Sequence, residues 1–208
     1  MRFDSEKYRR QSIRLKGYDY TQVGAYFVTM VAHDRSLQFG EIADGEMQLR
    51  DAGRIVRVIW EKLPAFYPGV EIDEFVVMPN HFHGIVVLVG VGPGAYPPGP
   101  SDQPRSAATT REPAMESGGG QAQGPAPTDV KRMSVGDVVS RFKTMTTKRY
   151  ADGVRDLGWP AFAGRLWQRN YYEHVVRDDA ELDRIRQYIG SNPSRWAEDE
   201  ENPLKAQQ

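Results

Sequence analysis

Residues 70–89 hold two apolar segments that constrain the fold more than any other part of this 208-residue chain. Met78, Pro79 and Asn80 separate the segments and predict a turn, because proline fixes its φ angle and asparagine tolerates turn geometry. Each segment is rich in β-branched and aromatic residues, which favours two paired strands. The second segment is apolar on both faces, which is typical of a central strand covered on both sides.

That second strand carries His81 and His83, two of the four histidines in the chain. Side chains at positions i and i+2 of a strand share a face, so the two imidazoles lie side by side, with Phe82 on the opposite face. Two neighbouring imidazoles are half of a metal site. Considered alone, each could instead be a buried histidine with its hydrogen bonds satisfied.

The remaining elements follow from local patterns. Alternating or β-rich segments predict further strands at 25–32 and 171–177 and a short hairpin formed by 37–42 and 46–49. Apolar residues three and four positions apart predict helices at 51–66, 134–150 and 179–191. We expect Asp51 to cap the first helix, and Asp178 with Glu181 resembles a capping box for the last.

This order of elements predicts an α+β fold in which helices pack on one face of an antiparallel sheet, compatible with a ferredoxin-like arrangement. Residues 1–21 form a basic N-terminal arm, 22–196 the domain, and 197–208 a flexible tail. Residues 90–128 are mainly Gly, Pro, Ser and Ala. Such a segment buries too little surface to offset its ordering entropy, so we expect a disordered insertion.

Composition excludes several classes of protein. The chain has no cysteine, which excludes disulfides and thiolate metal sites and favours a reducing compartment. No apolar run is long enough to span a membrane, and the N-terminus lacks the apolar core of a signal peptide, so a cytoplasmic protein is expected. The net charge of −1 gives no global attraction to nucleic acid, so local basic patches would have to supply it.

One such patch is the helix predicted at 134–150, where basic side chains lie beside the apolar stripe. It has two readings, a solvated face or a face that contacts phosphates, and spacing alone does not choose between them. Aromatic residues follow the helix and either stack on bases or pack on the sheet; they are Trp159, Trp167, Tyr171 and Tyr172.

Three segments, MPNHFHGIVVL, LWQRNYYEHVVRDDAEL and QYIGSNP, occur in this order. Together they resemble the REP-associated tyrosine transposases and the IS200-like single-tyrosine transposases of the HUH nuclease superfamily. The resemblance spans about residues 25–196 without the insertion. A lone His-x-His would be a weak signal, whereas all three segments in order make a strong one.

The resemblance implies a ferredoxin-like fold and assigns roles by position. His81 and His83 match the metal-binding pair, Tyr188 matches the nucleophile, and Asn192, one helical turn later, matches the third ligand. The implied cofactor is a divalent metal, Mg²⁺ or Mn²⁺. By ligand chemistry, two imidazoles and an amide oxygen suit Mn²⁺ or Zn²⁺ at least as well as Mg²⁺.

The implied function is metal-dependent cleavage and rejoining of single-stranded or hairpin DNA through a 5′-phosphotyrosine, by a monomer or a homodimer. Two alternatives stay open: a hairpin-binding protein that has lost cleavage, and a metal-dependent hydrolase in which Tyr188 is structural. The candidate DNA-contacting residues are mostly basic; they are Arg141, Lys143, Lys148, Arg149, Arg165, Trp167 and Arg169.

Overall fold

The computed structural model describes residues 17–90 and 133–205. Its strands are β1 (Gly24–Val31), β2 (Gly40–Ala43), β3 (Glu46–Leu49), β4 (Val70–Val77), β5 (His81–Leu88) and β6 (Tyr172–Val175). Its helices are α1 (Asp51–Glu61), α2 (Leu63–Phe66), α3 (Val135–Leu157) and α4 (Asp179–Ser191), followed by a 3₁₀ helix at Pro193–Glu198. Residues 1–16 of the predicted arm and 91–128 of the predicted insertion lie outside the described residues.

Four strands form one antiparallel sheet in the order β4-β5-β1-β6. Leaving aside the β2–β3 hairpin, the chain order is strand, helix, strand pair, helix, strand. This order and this pairing are those of the ferredoxin-like fold, so the predicted α+β class is confirmed. The predicted turn at Met78–Asn80 is also present, closed by the Met78 amide donating to the His81 carbonyl at 2.8 Å.

The helices cover both faces of the sheet, which corrects the prediction that they pack on one face. Helices α1 and α3 bury Trp60 and Phe142 against Phe82 on one face. Helix α4 places Ile189 against Phe27 and Ile85 on the other face, which also carries the histidines. The reason is the apolar character of that second face, which would be costly to leave in water.

The first predicted helix differs from the structure in two ways, and the second continues to Leu157 instead of ending at Tyr150. The helix expected at 51–66 divides into α1 and the short α2, because Pro64 has no N–H for the helical ladder and lies in the first turn of α2. The N-cap of α1 is Arg50 rather than Asp51, and it makes no side-chain cap. Asp51 is instead the first helical residue and pairs with Arg54 at 3.1 Å.

The segment 197–205, predicted to be a flexible tail, lies against the domain. The carbonyl of Glu201 accepts a hydrogen bond from Asn80 Nδ2 at 2.7 Å, and the Glu201 carboxylate pairs with Arg35 at 3.1 Å. Asn202 is buried and donates to the Trp196 carbonyl at 3.0 Å. The polar composition that suggested a solvated tail instead supplies hydrogen-bonding groups to the domain.

None of the helices in residues 17–90 and 133–205 has both the length and the apolar composition of a membrane-spanning segment.

Candidate metal centre and tyrosine

The sheet places the two imidazoles by register. Strands β1 and β5 pair so that His83 lies opposite Thr29. Thr29 Oγ1 is 2.7 Å from His83 Nδ1, which leaves His83 Nε2 pointing away from the strand pair. Phe27 stacks on the His83 ring, with their centroids 5.5 Å apart. The orientation of His83 is therefore fixed by a neighbouring strand as well as by its own.

Asn80 fixes the orientation and the tautomer of His81. The Asn80 amide nitrogen faces two carbonyl acceptors, those of Arg35 at 3.0 Å and Glu201 at 2.7 Å. The amide oxygen must then be the atom that lies 2.9 Å from His81 Nδ1. An amide oxygen only accepts, so His81 Nδ1 carries the proton and His81 Nε2 presents a lone pair. Both Asn80 and His81 are fully buried.

The two Nε2 atoms meet, 3.0 Å apart, in the interior of the site. Burial lowers the pKa of both imidazoles to about 3, so both are neutral near pH 7 and have the lone pairs that a metal ligand needs. The carboxylate of Asp199 lies 3.7 Å from His81 Nε2. Ligand atoms of His81, His83 and Asp199 all lie within 4.8 Å of one another.

Helix α4 brings Tyr188 to the same place. The apolar stripe of the helix, which includes Ile185 and Ile189, packs on the histidine face of the sheet. The Tyr188 hydroxyl lies 3.4 Å from His83 Nε2, and the residue is 41% exposed. Burial raises the pKa of Tyr188, and the nearby Asn192 side chain opposes this shift. Tyr188 is therefore accessible, protonated near pH 7 and next to the imidazole pair.

Asn192 is held at the end of α4 beside this tyrosine. It is 4% exposed, and its Oδ1 has no hydrogen-bond partner among the described residues. A buried amide oxygen without a partner costs about 1–3 kcal/mol. A cation or a donor from a ligand would remove that cost.

These residues fit a divalent cation. The two Nε2 atoms are 3.0 Å apart, which is close enough for one ion to contact both at the usual metal–nitrogen distance of about 2.1 Å. Both imidazoles have a hydrogen-bond partner on Nδ1, as metal-ligating histidines do. The available donors are two nitrogens, a carboxylate and an amide oxygen, a mixed set that suits Mn²⁺ and Zn²⁺ as well as Mg²⁺.

The predicted DNA-contacting residues do not form one exposed group. Trp167 is 4% exposed; its Nε1 donates to Thr146 Oγ1 at 2.8 Å and its ring packs on Phe39. It therefore belongs to the core, and its predicted contact with DNA is wrong. The indole fills the space between the sheet and α3, which is a large gain in buried apolar area.

Two of the six basic candidates are partly buried, and the other four are exposed. Lys143 Nζ donates to the carbonyls of Gln168 and Asn170 at 2.9 and 3.1 Å, and burial lowers its pKa to about 8. Its charge is thus engaged within the protein. Arg141 is half-buried, with its guanidinium 4.9 Å above the Tyr67 ring. The other four are exposed, and their contact with DNA stays a prediction; they are Lys148, Arg149, Arg165 and Arg169.

Sequence reasoning missed three groups in this site. Asp199 lies in the segment predicted to be a flexible tail, and no local pattern marks it as a ligand. The turn pattern predicts a structural role for Asn80, although its position directly before His81 is a signal for a contact with that imidazole. Thr29 was one residue of a strand, and only the register with β5 shows its contact with His83.

Comparisons with known proteins gave one clear relative and two modest structural similarities. No protein-family model matches the chain. A REP-associated tyrosine transposase, solved bound to a REP hairpin, has a TM-score of 0.48 and 17% identity, covering 88% of this chain and 74% of that one. A candidate transposase from Deinococcus radiodurans R1 has a TM-score of 0.43 and 16% identity, covering 85% and 95%.

The sequence relative is a protein of Haemophilus influenzae (strain Rd) described as an uncharacterized protein. It is 35% identical over 201 residues, which cover 96% of each chain. Identity at this level over almost the whole length means a shared fold and a common ancestor. The chain therefore belongs to the same family as this Haemophilus influenzae protein.

Proposed function

We propose that this protein is a tyrosine transposase that cuts and rejoins single-stranded DNA with the help of a divalent cation. The observation that carries the proposal is the position of the Tyr188 hydroxyl, 3.4 Å from a neutral imidazole that shares a site with His81 and Asp199. The sequence resemblance to REP-associated transposases independently points to three of these four residues, His81, His83 and Tyr188.

The protein groups have separate tasks in this proposal. His81, His83 and Asp199 hold the cation, and Asn192 Oδ1 is available as a further oxygen ligand. When bound, the cation would polarise a DNA phosphate and favour the ionised form of the tyrosine hydroxyl. Arg195, whose positive charge opposes the raised pKa of Tyr188, is exposed near the tyrosine and could contact the same phosphate.

Tyr188 is the nucleophile. Its hydroxyl loses a proton to solvent, which reaches the exposed ring, and the oxygen attacks phosphorus. The new bond joins the tyrosine oxygen to phosphorus, while the bond from phosphorus to the 3′ oxygen breaks and that oxygen takes up a proton. The 5′ phosphate stays on Tyr188, so a second 3′-hydroxyl can reverse the step without an external energy source.

Tyr188 and His83 are adjacent within one chain, which supports a site whose tyrosine and histidines come from the same protein molecule. The family resemblance implies the DNA substrate, which is a hairpin with a single-stranded flank. Four exposed arginines and lysines after the insertion are the candidate backbone contacts; they are Lys148, Arg149, Arg165 and Arg169.

A covalent-adduct experiment tests the proposal. The protein is incubated with Mn²⁺ or Mg²⁺ and end-labelled hairpin DNA taken from palindromes beside its gene, and the products are separated on a denaturing gel. We expect a protein–DNA adduct that is lost in Tyr188→Phe and in His83→Ala. Tyr172→Phe is the matched control, since it removes a second exposed tyrosine hydroxyl from the same face and should retain the adduct.

Two outcomes would contradict the proposal. Binding without cleavage or adduct, with every metal tested, would favour a hairpin-binding protein. Free cleaved DNA that persists in Tyr188→Phe would favour a metal-dependent hydrolase in which the tyrosine is structural.

A further inference from the structure

The metal centre belongs to a row of residues that crosses the sheet. His83 on β5 lies opposite Thr29 on β1, and Thr29 lies opposite Tyr172 on β6. Because opposite residues on paired strands point to the same face, Tyr172 stands on the face of the two histidines. Two strand spacings, about 10 Å, separate the backbone of His83 from that of Tyr172.

Tyr172 forms the outer edge of this face. Strand β6 pairs only with β1 in the described part of the chain, so the sheet ends there. The Tyr172 ring contacts Phe27 edge-on, with centroids 6.2 Å apart, and 38% of the residue is exposed. An aromatic ring at a sheet edge therefore offers contact area beside the metal centre.

The same phenylalanine links Tyr172 to the tyrosine of α4. Tyr188 also contacts Phe27 edge-on, at 6.0 Å between centroids. The two exposed tyrosine rings are therefore at most about 12 Å apart, since each is about 6 Å from Phe27. A phosphate and a neighbouring base of single-stranded DNA are separated by one sugar, which is a distance of the same order.

We propose that Tyr172 is a stacking platform for a base of the single strand next to the phosphate that Tyr188 attacks. This inference rests on the proposed function and adds a second contact, which places the strand along the row from His83 to Tyr172. An aromatic face accepts any base, so Tyr172 would position the strand rather than read its sequence. The role makes use of the exposed ring, which packing against Phe27 alone leaves unexplained.

A binding experiment with abasic DNA tests this platform. All variants are made in the Tyr188→Phe background, so that no cleavage disturbs the equilibrium, and binding of the hairpin with its single-stranded flank is measured by fluorescence anisotropy in Mn²⁺. Tyr172→Leu keeps an apolar side chain against Phe27 but removes the aromatic face. Tyr172→Phe keeps the face and is the conservative control.

We expect Tyr172→Leu to weaken binding by roughly 5- to 100-fold, as loss of one base–aromatic stack does, and Tyr172→Phe to retain the parent affinity. An abasic nucleotide at one flank position should weaken binding by the parent, and the same nucleotide should cause no further loss in Tyr172→Leu. That coupling distinguishes stacking from a packing role, which would lower the melting temperature without depending on the DNA position.

Equal losses at every abasic position in both proteins, or unchanged affinity in Tyr172→Leu, would overturn the inference. The outcome is separable from that of the adduct experiment. Position-specific coupling to Tyr172 without any adduct in the wild-type protein would contradict covalent catalysis and leave the platform standing. An adduct that forms on Tyr188 without such coupling would contradict only the platform.

Discussion

Among single residues, Asn80 joins three separate parts of the molecule. Its amide oxygen accepts from His81, and its amide nitrogen donates to the carbonyl of Arg35 after β1 and to that of Glu201 near the C-terminus. Asn80 is fully buried, so water cannot replace any of these three hydrogen bonds. The turn geometry could be supplied by other residues, whereas fixing the proton on His81 Nδ1 requires an acceptor such as this amide oxygen.

Asn80→Ala should therefore weaken Mn²⁺ binding by about 10- to 100-fold, the usual cost of losing a partner that orients a ligand. It should also lower the free energy of unfolding by about 1–3 kcal/mol, because two carbonyls and one imidazole N–H lose their partner in a buried site. Isothermal titration calorimetry of the metal and chemical denaturation measure the two effects. Thr146→Val, which removes a buried hydroxyl from the Trp167 contact, is the control: it should cost stability and leave Mn²⁺ affinity unchanged.

Among the helices and strands, the position of α4 depends on a clamp as well as on its apolar stripe. Arg186 donates to both oxygens of Asp73 on β4, at 2.9 and 2.6 Å. The register between β4 and β5 shifts between Ile72 and Phe75, and such bulges redirect side chains. Arg186 lies two residues before Tyr188, so this ion pair joins β4 to the same turn of α4 that carries the tyrosine.

Asp73→Asn should destabilise the protein in a pH-dependent way. The hydrogen bond from Arg186 lowers the pKa of Asp73, so the folded state favours the ionised carboxylate. Its stabilising effect is complete above the unfolded pKa of about 3.9 and is lost as the pH falls through the lower folded value. Thermal unfolding should separate wild type from Asp73→Asn at about pH 6 and bring them together once the pH lies below both values. Glu74→Gln, one residue along and exposed, should show a smaller difference at the higher pH; an equal one would contradict the clamp.

For the molecule as a whole, the site is assembled from segments far apart in the chain. His81 and His83 come from β5. Tyr188 comes from α4, which follows the insertion and lies more than one hundred positions later in the chain. Asp199 comes from the segment after the 3₁₀ helix. The C-terminal segment closes the arrangement because Glu201 and Asn202 attach it to the domain and to the 3₁₀ helix.

Asp199→Asn should weaken Mn²⁺ binding by at least about tenfold, because a charged ligand becomes a neutral one next to two neutral imidazoles. The fold should persist, since Asn80 still holds the Glu201 carbonyl. Calorimetry with Mn²⁺ measures the loss, and Glu200→Gln, which removes the same charge from the neighbouring residue, should bind nearly as wild type does. Equal effects of the two substitutions would mean that Asp199 acts only through overall charge.

Features that depend on local periodicity could be predicted from the sequence. The β-branched and aromatic residues of 70–89 predicted a strand pair, and the two-residue period of a strand placed His81 and His83 on one face. Spacings of three and four predicted the stripes of α3 and α4, and Asp178 caps α4 as its sequence context indicates. The order of these elements predicted the α+β class and is compatible with the ferredoxin-like sheet, which the family resemblance implied.

Which surfaces meet depends on tertiary packing. Periodicity tells which face of α4 is apolar, but it does not tell which face of the sheet that stripe covers. It also cannot distinguish a polar segment that remains in water from one whose groups pair with a distant turn, so Asp199 was missed. The same reason explains Trp167, because an indole in the segment before β6 is core or surface according to what α3 places beside it. Long-range packing, hydrogen-bond pairing and burial settle these questions, and none of them is encoded in the spacing of neighbouring residues.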